Sequence, residues 1–271
     1  TYMRNMLPIM SKLPGIELHL FLHRTQEPLF ADIIENTTTH YVDTSAALAK
    51  IIYTEQVVLP RLARELSCDV VFSTANYGPL MISNGVILLR NSLDVAIVER
   101  RAGKIFYWAL IYIATISSLI SARRAIAVSY YASNASIRGV LQGLRGKVSV
   151  IPHGISPDFQ SIVRKKPDQP FVLTVSDIYV QKNLHTLIRG FAALLDETPE
   201  LVLKIAGKPL DASYYKRICR IIDELGIAHA VKFLGHISGQ ELLDLYGSCS
   251  VFAFPSTVET FGNPLVEAMA S

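Results

Sequence analysis

Short apolar runs alternate with stretches of helical periodicity along nearly the whole chain, and that alternation leaves few folds open. The candidate strands are residues 17–22, 69–73, 86–89, 124–128 and 147–151, then 171–175, 201–206, 231–234 and 250–254. Helical periodicity fills 45–67, 130–144, 183–197, 211–225 and 239–247, and residues 2–13 place Met3, Met6, Leu7 and Met10 on one helical face. A strand that is followed by a helix and then by another strand crosses over and returns parallel. The pattern therefore predicts an α/β chain with parallel sheets covered by helices. Residues 153–170 contain Pro157, Pro167 and Pro170 among charges without a period, which suggests a linker. The expected organisation is one α/β domain over 1–152 and a second over 171–271. Ligands of open α/β sheets bind beyond the carboxyl ends of the strands, so two such domains would face a cleft.

Composition narrows the function. The chain has 271 residues, enough for two ordinary domains, and 50% of them are hydrophobic. Charged residues make up 18%, too few for a disordered chain. A net charge of +3 is too small to point to nucleic acid. Cys68, Cys219 and Cys249 are scattered beside apolar segments, with neither metal-ligand spacing nor a disulfide framework. They suit buried thiols in a reducing compartment. The chain starts at Thr1 and stops at Ser271 inside a barely begun helix, so a fragment cut at both ends is expected.

Residues 105–122 (IFYWALIYIATISSLISA) carry no charge; Arg100, Arg101 and Lys104 precede them and Arg123 and Arg124 follow. The length is at the threshold of a membrane span. Basic residues at both ends give no asymmetry to orient a span. A packing helix, a membrane-surface helix and a span all remain open here.

Two strand-to-helix corners could hold chemistry. After strand 250–254 the chain runs Pro255-Ser256-Thr257-Val258-Glu259-Thr260-Phe261-Gly262-Asn263-Pro264 into a helix containing Glu267. Asn263 is a good N-cap, and Pro264 suits the first helical position. Amides from about Gly262 onward would offer an anion site, and Gly262 would let backbone approach a ligand closely. Glu267 also suits a first turn with no ligand, and Glu259 suits a solvated loop. After strand 171–175, Lys182 stands at a helix entrance that Asn183 would cap. It is placed either to meet a diphosphate or simply to be solvated.

Taken together, these motifs resemble a family. Lys182-Asn183 opening a helix, then Leu201-Val202-Leu203-Lys204-Ile205-Ala206-Gly207, then Val231-Lys232-Phe233-Leu234-Gly235-His236, then Glu241 to Tyr246, then Glu259 and Glu267 with seven residues between them, resemble the retaining glycosyltransferases of group 1 (family 4), which have the GT-B fold. Val150-Ile151-Pro152-His153-Gly154-Ile155 resembles the family's exit from the amino-terminal domain. The resemblance covers almost all of 125–271 and, more loosely, 1–124. It implies two Rossmann-like domains, with an acceptor side in 1–152 and a truncated nucleotide-sugar side in 171–271. Lys182 would neutralise the donor diphosphate. Thr260, Phe261, Gly262 and Asn263 would bind the donor, Glu259 its sugar, and Glu267 its ribose diol.

The implied activity is metal-independent transfer, with retention, from a nucleotide-sugar to a glycan or lipid-linked acceptor. No cofactor, metal or nucleic acid is expected. The location would be cytoplasmic, with a peripheral membrane contact through 105–122. A nucleotide-sugar epimerase of the same fold and an inactive binding module are the alternatives. Two departures stand out. Ser176-Asp177 replaces the family's Gly-Arg, and Leu89-Arg90-Asn91-Ser92 stands where many members carry a histidine, leaving Arg90 and Asn91 as candidate cleft residues. No Asp-x-Asp motif, dinucleotide fingerprint or serine nucleophile elbow is present.

Overall fold

The computed structural model of the chain describes residues 2–33, 37–42, 47–91, 94, 102–137 and 139–271. The chain divides into two compact units, Thr1–Arg90 with Ala109–His153, and Asn91–Trp108 with Gly154–Ser271.

The first unit holds two parallel sheets. β1 (His19–Leu22) pairs with β2 (Thr38–Tyr41), and β3 (Val71–Ser73), β4 (Gly85–Leu89), β5 (Arg124–Ala127) and β6 (Val148–Val150) lie side by side in that order. β4 is the buried centre, with Ile87, Leu88 and Leu89 almost wholly removed from water. The helices are α1 (Tyr2–Met10), α2 (Leu48–Tyr53), α3 (Leu59–Glu65), α4 (Ala102–Ser121), which groups with the second unit up to Trp108 and with the first from Ala109, and α5 (Tyr130–Ser136). Among the described residues no helix is long and apolar enough to cross a membrane. A π-helical stretch, Thr54–Val58, joins α2 to α3, so the periodicity read over 45–67 is one run with a local overturn; residues 45 and 46 lie outside the described residues. The helix expected over 130–144 stops at Ser136, and Gly139–Lys147 winds as a 3-10 helix, because Gly139, Gly143 and Gly146 weaken the α form. β2 has no counterpart in the sequence reading. His19 and His40 face each other across β1 and β2, with ring nitrogens 3.0 Å apart.

The second unit is a single parallel sheet in the order β10-β7-β8-β9, with β7 (Phe171–Val175), β8 (Val202–Ala206), β9 (Val231–Gly235) and β10 (Val251–Phe252). Strand alternation sorts its side chains to two cores. Val172, Leu203 and Ile205 pack beneath α7 (Leu184–Leu195) and α8 (Ala212–Glu224), against Leu184, Ile188, Phe191, Ile218 and Ile222. Phe171, Leu173 and Val202 meet Tyr246 and Cys249 from α9 (Gly239–Ser248) and the residue after it. Phe159 of α6 (Pro157–Gln160) and Ile162 join this second core. Arg164 then donates to the Tyr246 and Cys249 carbonyls (3.3 and 3.2 Å) at the end of α9. α9 starts on a capping box, with Ser238 Oγ accepting from the Glu241 amide and Glu241 Oε2 from the Ser238 amide. The final helix is α10 (Asn263–Ala270).

This strand order fixes where a ligand can bind. The chain steps outward through β7, β8 and β9, then returns to place β10 on the other side of β7. β7 and β10 therefore flank the point where the winding direction reverses. In sheets of this kind a crevice opens there beyond the carboxyl ends of the strands.

Candidate functional site

The segments that leave β7 and β10 are tied together before any ligand arrives. Beyond β7 the chain makes a 3-10 turn, Val180–Lys182, and Asn183 adopts a left-handed conformation (φ 51°, ψ 31°). Asn tolerates that region better than most side chains. The expected cap does not form. Instead Asn183 Nδ2 reaches across to donate to the Pro255 carbonyl (3.1 Å), while Asn183 Oδ1 accepts from Thr186 Oγ1 (2.8 Å). Thr257 closes the other side, its amide and its hydroxyl both donating to the Gln181 carbonyl (2.9 and 3.1 Å).

This lacing brings Lys182 to Glu259. Lys182 Nζ lies 2.5 Å from Glu259 Oε1, with side chains 13% and 26% exposed. The ammonium is also 5.4 Å from the Tyr179 ring centre and 5.9 Å from that of Phe254. Burial opposes the charge on Lys182, but the hydrogen bond and charge of Glu259, with Tyr179 adding, outweigh it and hold the ammonium above the usual lysine range. The result is a fixed, partly desolvated cation at the switch point of the sheet.

Thr260 and Phe261 lead from Glu259 to Gly262, which takes the N-cap position of α10 in place of Asn263. Gly262 is left-handed (φ 81°), and a Cβ there would meet Phe254 at 3.2 Å, so both backbone and space ask for glycine. The Leu265 and Val266 amides bond back to the Gly262 carbonyl, and Pro264 has no N–H. The amides of Gly262 and Asn263 thus precede the first intrahelical bonds, where the helix dipole favours an anion. Asn263 Oδ1 is buried without a hydrogen bond, and so is Ser176 Oγ at the end of β7.

Glu267 lies one turn into α10. Tyr246, fully buried on α9, donates its hydroxyl to Glu267 Oε2 (3.0 Å) and to the Pro264 carbonyl (3.2 Å). Burial pushes the Glu267 carboxyl above its ordinary value, against the pull of this hydrogen bond. Burial and the neighbouring Glu267 also push the Tyr246 hydroxyl well up, so it stays a donor. Tyr246 was not singled out from the sequence as a site residue. Its signal is a tyrosine on the apolar face of a helix, since a buried hydroxyl there needs a partner.

Asp177 does not face Lys182. Its Oδ1 accepts from the Lys208 amide (2.8 Å), and the Ile178 amide donates to the Lys208 carbonyl (2.8 Å). The two loops approach so closely at Gly207 (φ 154°) that a Cβ there would lie 2.0 Å from the Ser176 carbonyl oxygen. The Asp177 carboxylate, at a position where the family has Arg, is occupied in joining the loops beyond β7 and β8.

Arg90 follows β4 in the first unit, its amide donating to Asn76 Oδ1 (2.9 Å), and its positive charge, after burial, helps to lower the pKa of His153. Asn91 groups with the second unit, and Ser92 lies outside the described residues. Lys182, Glu259 and the 260–267 segment come together within the second unit, whereas Arg90 belongs to the first. Among the described residues, no group of three or more His, Cys, Asp or Glu side chains could hold a metal ion.

Comparison with known proteins identifies what this chain is similar to. Residues 156–271 match the model of a family described as glycosyl transferases group 1. An uncharacterised glycosyltransferase of Methanocaldococcus jannaschii is 33% identical over 138 residues, 46% of this chain and 34% of that protein. The D-inositol 3-phosphate glycosyltransferase of Streptomyces avermitilis is 31% identical over 143 residues, 47% of this chain and 31% of that protein. The chain thus spans about a third of the length of these two relatives. Among solved structures, HepE of Anabaena in complex with UDP and glucose matches with a TM-score of 0.68 at 18% identity, over 93% of this chain and 70% of that one. Sucrose-phosphate synthase of Thermosynechococcus elongatus matches with a TM-score of 0.72 at 18% identity, over 99% of this chain and 72% of that one. At such identities the likeness to the solved structures is one of fold.

Proposed function

We propose that this chain, a GT-B protein whose residues 156–271 belong to the group 1 glycosyl transferases, carries the donor site of an enzyme that moves a sugar from a nucleoside-diphosphate donor to an acceptor hydroxyl. The observation that carries the proposal is the Lys182–Glu259 pair at the switch point of the second sheet. A half-desolvated ammonium is suited to a diphosphate, because charge builds on that group as the sugar leaves. HepE, of like fold, is crystallised with UDP and with UDP-glucose, which favours a nucleotide-sugar as the donor here.

In this reading the diphosphate takes Lys182 from Glu259, and the amides of Gly262 and Asn263 supply further donors. Released from Lys182, Glu259 turns to the sugar hydroxyls. Glu267, aligned by Tyr246, accepts from the ribose diol through its remaining lone pairs. The positive charge comes from Lys182 and the helix start rather than from a metal. Transfer proceeds on one face of the sugar with retention. The acceptor is a glycan or a lipid-linked sugar, a class in keeping with the serotype-specific mannosyltransferase WbdA of Escherichia coli, which is 31% identical over 104 residues (38% of this chain, 13% of that protein). The free thiols of Cys68, Cys219 and Cys249 suit a reducing compartment.

Calorimetric titration with UDP- and GDP-sugars, with and without EDTA, tests the assignment. Saturable heat with at least one donor, unchanged by EDTA, is expected. A folded chain that gives no heat with any donor overturns it.

A further inference from the structure

The helix that follows Lys182 starts without a cap of its own. Asn183, in the N-cap position of α7, makes no side-chain cap bond, and its Nδ2 is committed to the Pro255 carbonyl. The missing acceptor comes from α8. Tyr214 is 4% exposed and packs with Leu184, Ile188 and Phe191. Its Oη accepts from the His185 amide (3.3 Å), one of the orphan donors at the start of α7. The same oxygen lies 3.0 Å from Nδ1 of the His185 ring, and the two rings meet edge to face with centres 6.0 Å apart.

These contacts fix the proton. An oxygen that accepts from a backbone amide sends its own hydrogen elsewhere, and a buried hydroxyl hydrogen without an acceptor is costly. Nδ1 of His185 is the acceptor within reach, so the neutral ring carries its proton on Nε2. Burial keeps the Tyr214 hydroxyl protonated, above the ordinary tyrosine range. The charged groups that face the His185 ring are Arg217 of α8 and Arg189, one turn along α7. Asp211, at the N-cap of α8, is engaged by the Ser213 and Tyr214 amides (3.1 and 3.2 Å). Burial, then Arg217 and Arg189, hold His185 below the ordinary histidine value.

We propose that Tyr214 and His185 form a pH-sensitive latch on the corner that holds Lys182 and Asn183, closed while His185 is neutral and released, with weaker donor binding, when His185 takes a proton. Protonation turns Nδ1 into a second donor aimed at the Tyr214 oxygen and leaves the hydroxyl hydrogen without an acceptor. It also places a positive charge at a helix start, where the dipole opposes it, between two arginines. Folding lowers the affinity of His185 for its proton, so its contribution to stability is complete above about pH 6.5 and is lost as pH falls from there through the lowered value. The effect on donor binding rests on the nucleotide-sugar reading of the site; the titration of the pair does not.

Titration calorimetry with UDP-glucose, or with GDP-mannose if UDP-glucose gives no heat, tests the latch between about pH 7.5 and 5.5. A diphosphate esterified at both ends keeps its charge over that range. His185→Asn offers Tyr214 an amide oxygen that takes no proton, so it should bind like the parent at the upper pH. On acidification the parent should lose about two- to tenfold more affinity than this variant, the worth of one hydrogen bond. Tyr214→Phe keeps the ring in the core and removes the hydroxyl. It should bind about two- to tenfold more weakly at the upper pH and then follow the shallower profile of His185→Asn. Nitrogen NMR of the His185 ring, assigned by its absence in His185→Asn, should show a bare Nδ1 at neutral pH. Parallel affinity profiles of parent and His185→Asn overturn the latch, and so does an Nδ1 that carries the proton at neutral pH. If neither nucleotide-sugar binds, the donor-site reading fails and the urea midpoint decides: a parent that loses more stability on acidification than His185→Asn keeps the latch, and equal losses overturn it.

Discussion

Lys182→Met keeps most of the length of the side chain and removes its charge, and its consequences follow from the geometry of the pair. The ammonium and carboxylate are 2.5 Å apart, with side chains 13% and 26% exposed. Exposed ion pairs are worth about 0.2–1 kcal/mol. Breaking a fully buried one by removing a partner costs about 3–5 kcal/mol. This pair lies between those limits, so Lys182→Met should cost about 1–2 kcal/mol of stability. Glu259→Gln should cost a similar amount, because it leaves the ammonium without its counter-charge. The double variant removes both charges together, so it should be more stable than the sum of the singles by about 1 kcal/mol. Nucleotide affinity should respond differently. Lys182→Met loses a charge-assisted bond to the diphosphate, worth about 1.5–3 kcal/mol, and should weaken UDP binding roughly 10- to 150-fold. Glu259→Gln removes a competitor for Lys182, and UDP carries no sugar for Glu259 to hold, so this variant should bind UDP more tightly. Urea denaturation followed by circular dichroism gives the stability cycle, and titration calorimetry gives the affinities. Strictly additive stabilities, or weaker UDP binding by Glu259→Gln, would refute the idea that the carboxylate holds the place of the diphosphate.

Gly207→Ala should be among the most damaging single methyl additions in the second unit, since its Cβ would lie 2.0 Å from the Ser176 carbonyl oxygen at a φ of 154°. A loss of about 3 kcal/mol or more in urea is expected, and an unchanged midpoint would contradict the close approach of the two loops. Tyr246→Phe removes the hydrogen bond that holds the Glu267 carboxyl down against burial, so that carboxyl rises further and takes its proton at a higher pH. The acid limb of UDP affinity should move to higher pH with it, and a limb that stays in place would remove Glu267 from the nucleotide site. Asp177→Ala should cost about 1 kcal/mol through the Lys208 amide and leave UDP affinity nearly unchanged. A large gain in affinity would mean that Asp177 faces the diphosphate after all.

The strands of the second unit were legible because each is a short apolar run between turn residues, and β7 lies where residues 171–175 were expected. β2 was not legible, because Thr38-Thr39-His40-Tyr41 offers no apolar run and gains its strand character from pairing with β1. Lys182, Glu259 and Glu267 were visible as residue types at the right corners. What joins them was not, since it depends on side chains meeting across distant segments. Asn183 illustrates the reason. Its composition suggested a helix cap, but its left-handed backbone turns the side chain toward Pro255, a contact that no local rule specifies. Asp177 shows the same limit with the opposite outcome, since sequence alone could not show that its carboxylate is spent on the Lys208 amide.

Lys182 and Glu259 are 77 positions apart, and the hydrogen bonds that hold them together come from two equally distant segments. Bringing such ends together in a flexible chain costs on the order of 4 kcal/mol, which must be met by β8, β9 and the helices folding between them. During synthesis Lys182 leaves the ribosome well before Val251 of β10 has been made. The Lys182–Glu259 pair therefore cannot exist on a nascent chain that has completed only β7 to β9. It forms only after the last strand has been added, so an intact pair reports that the unit has closed.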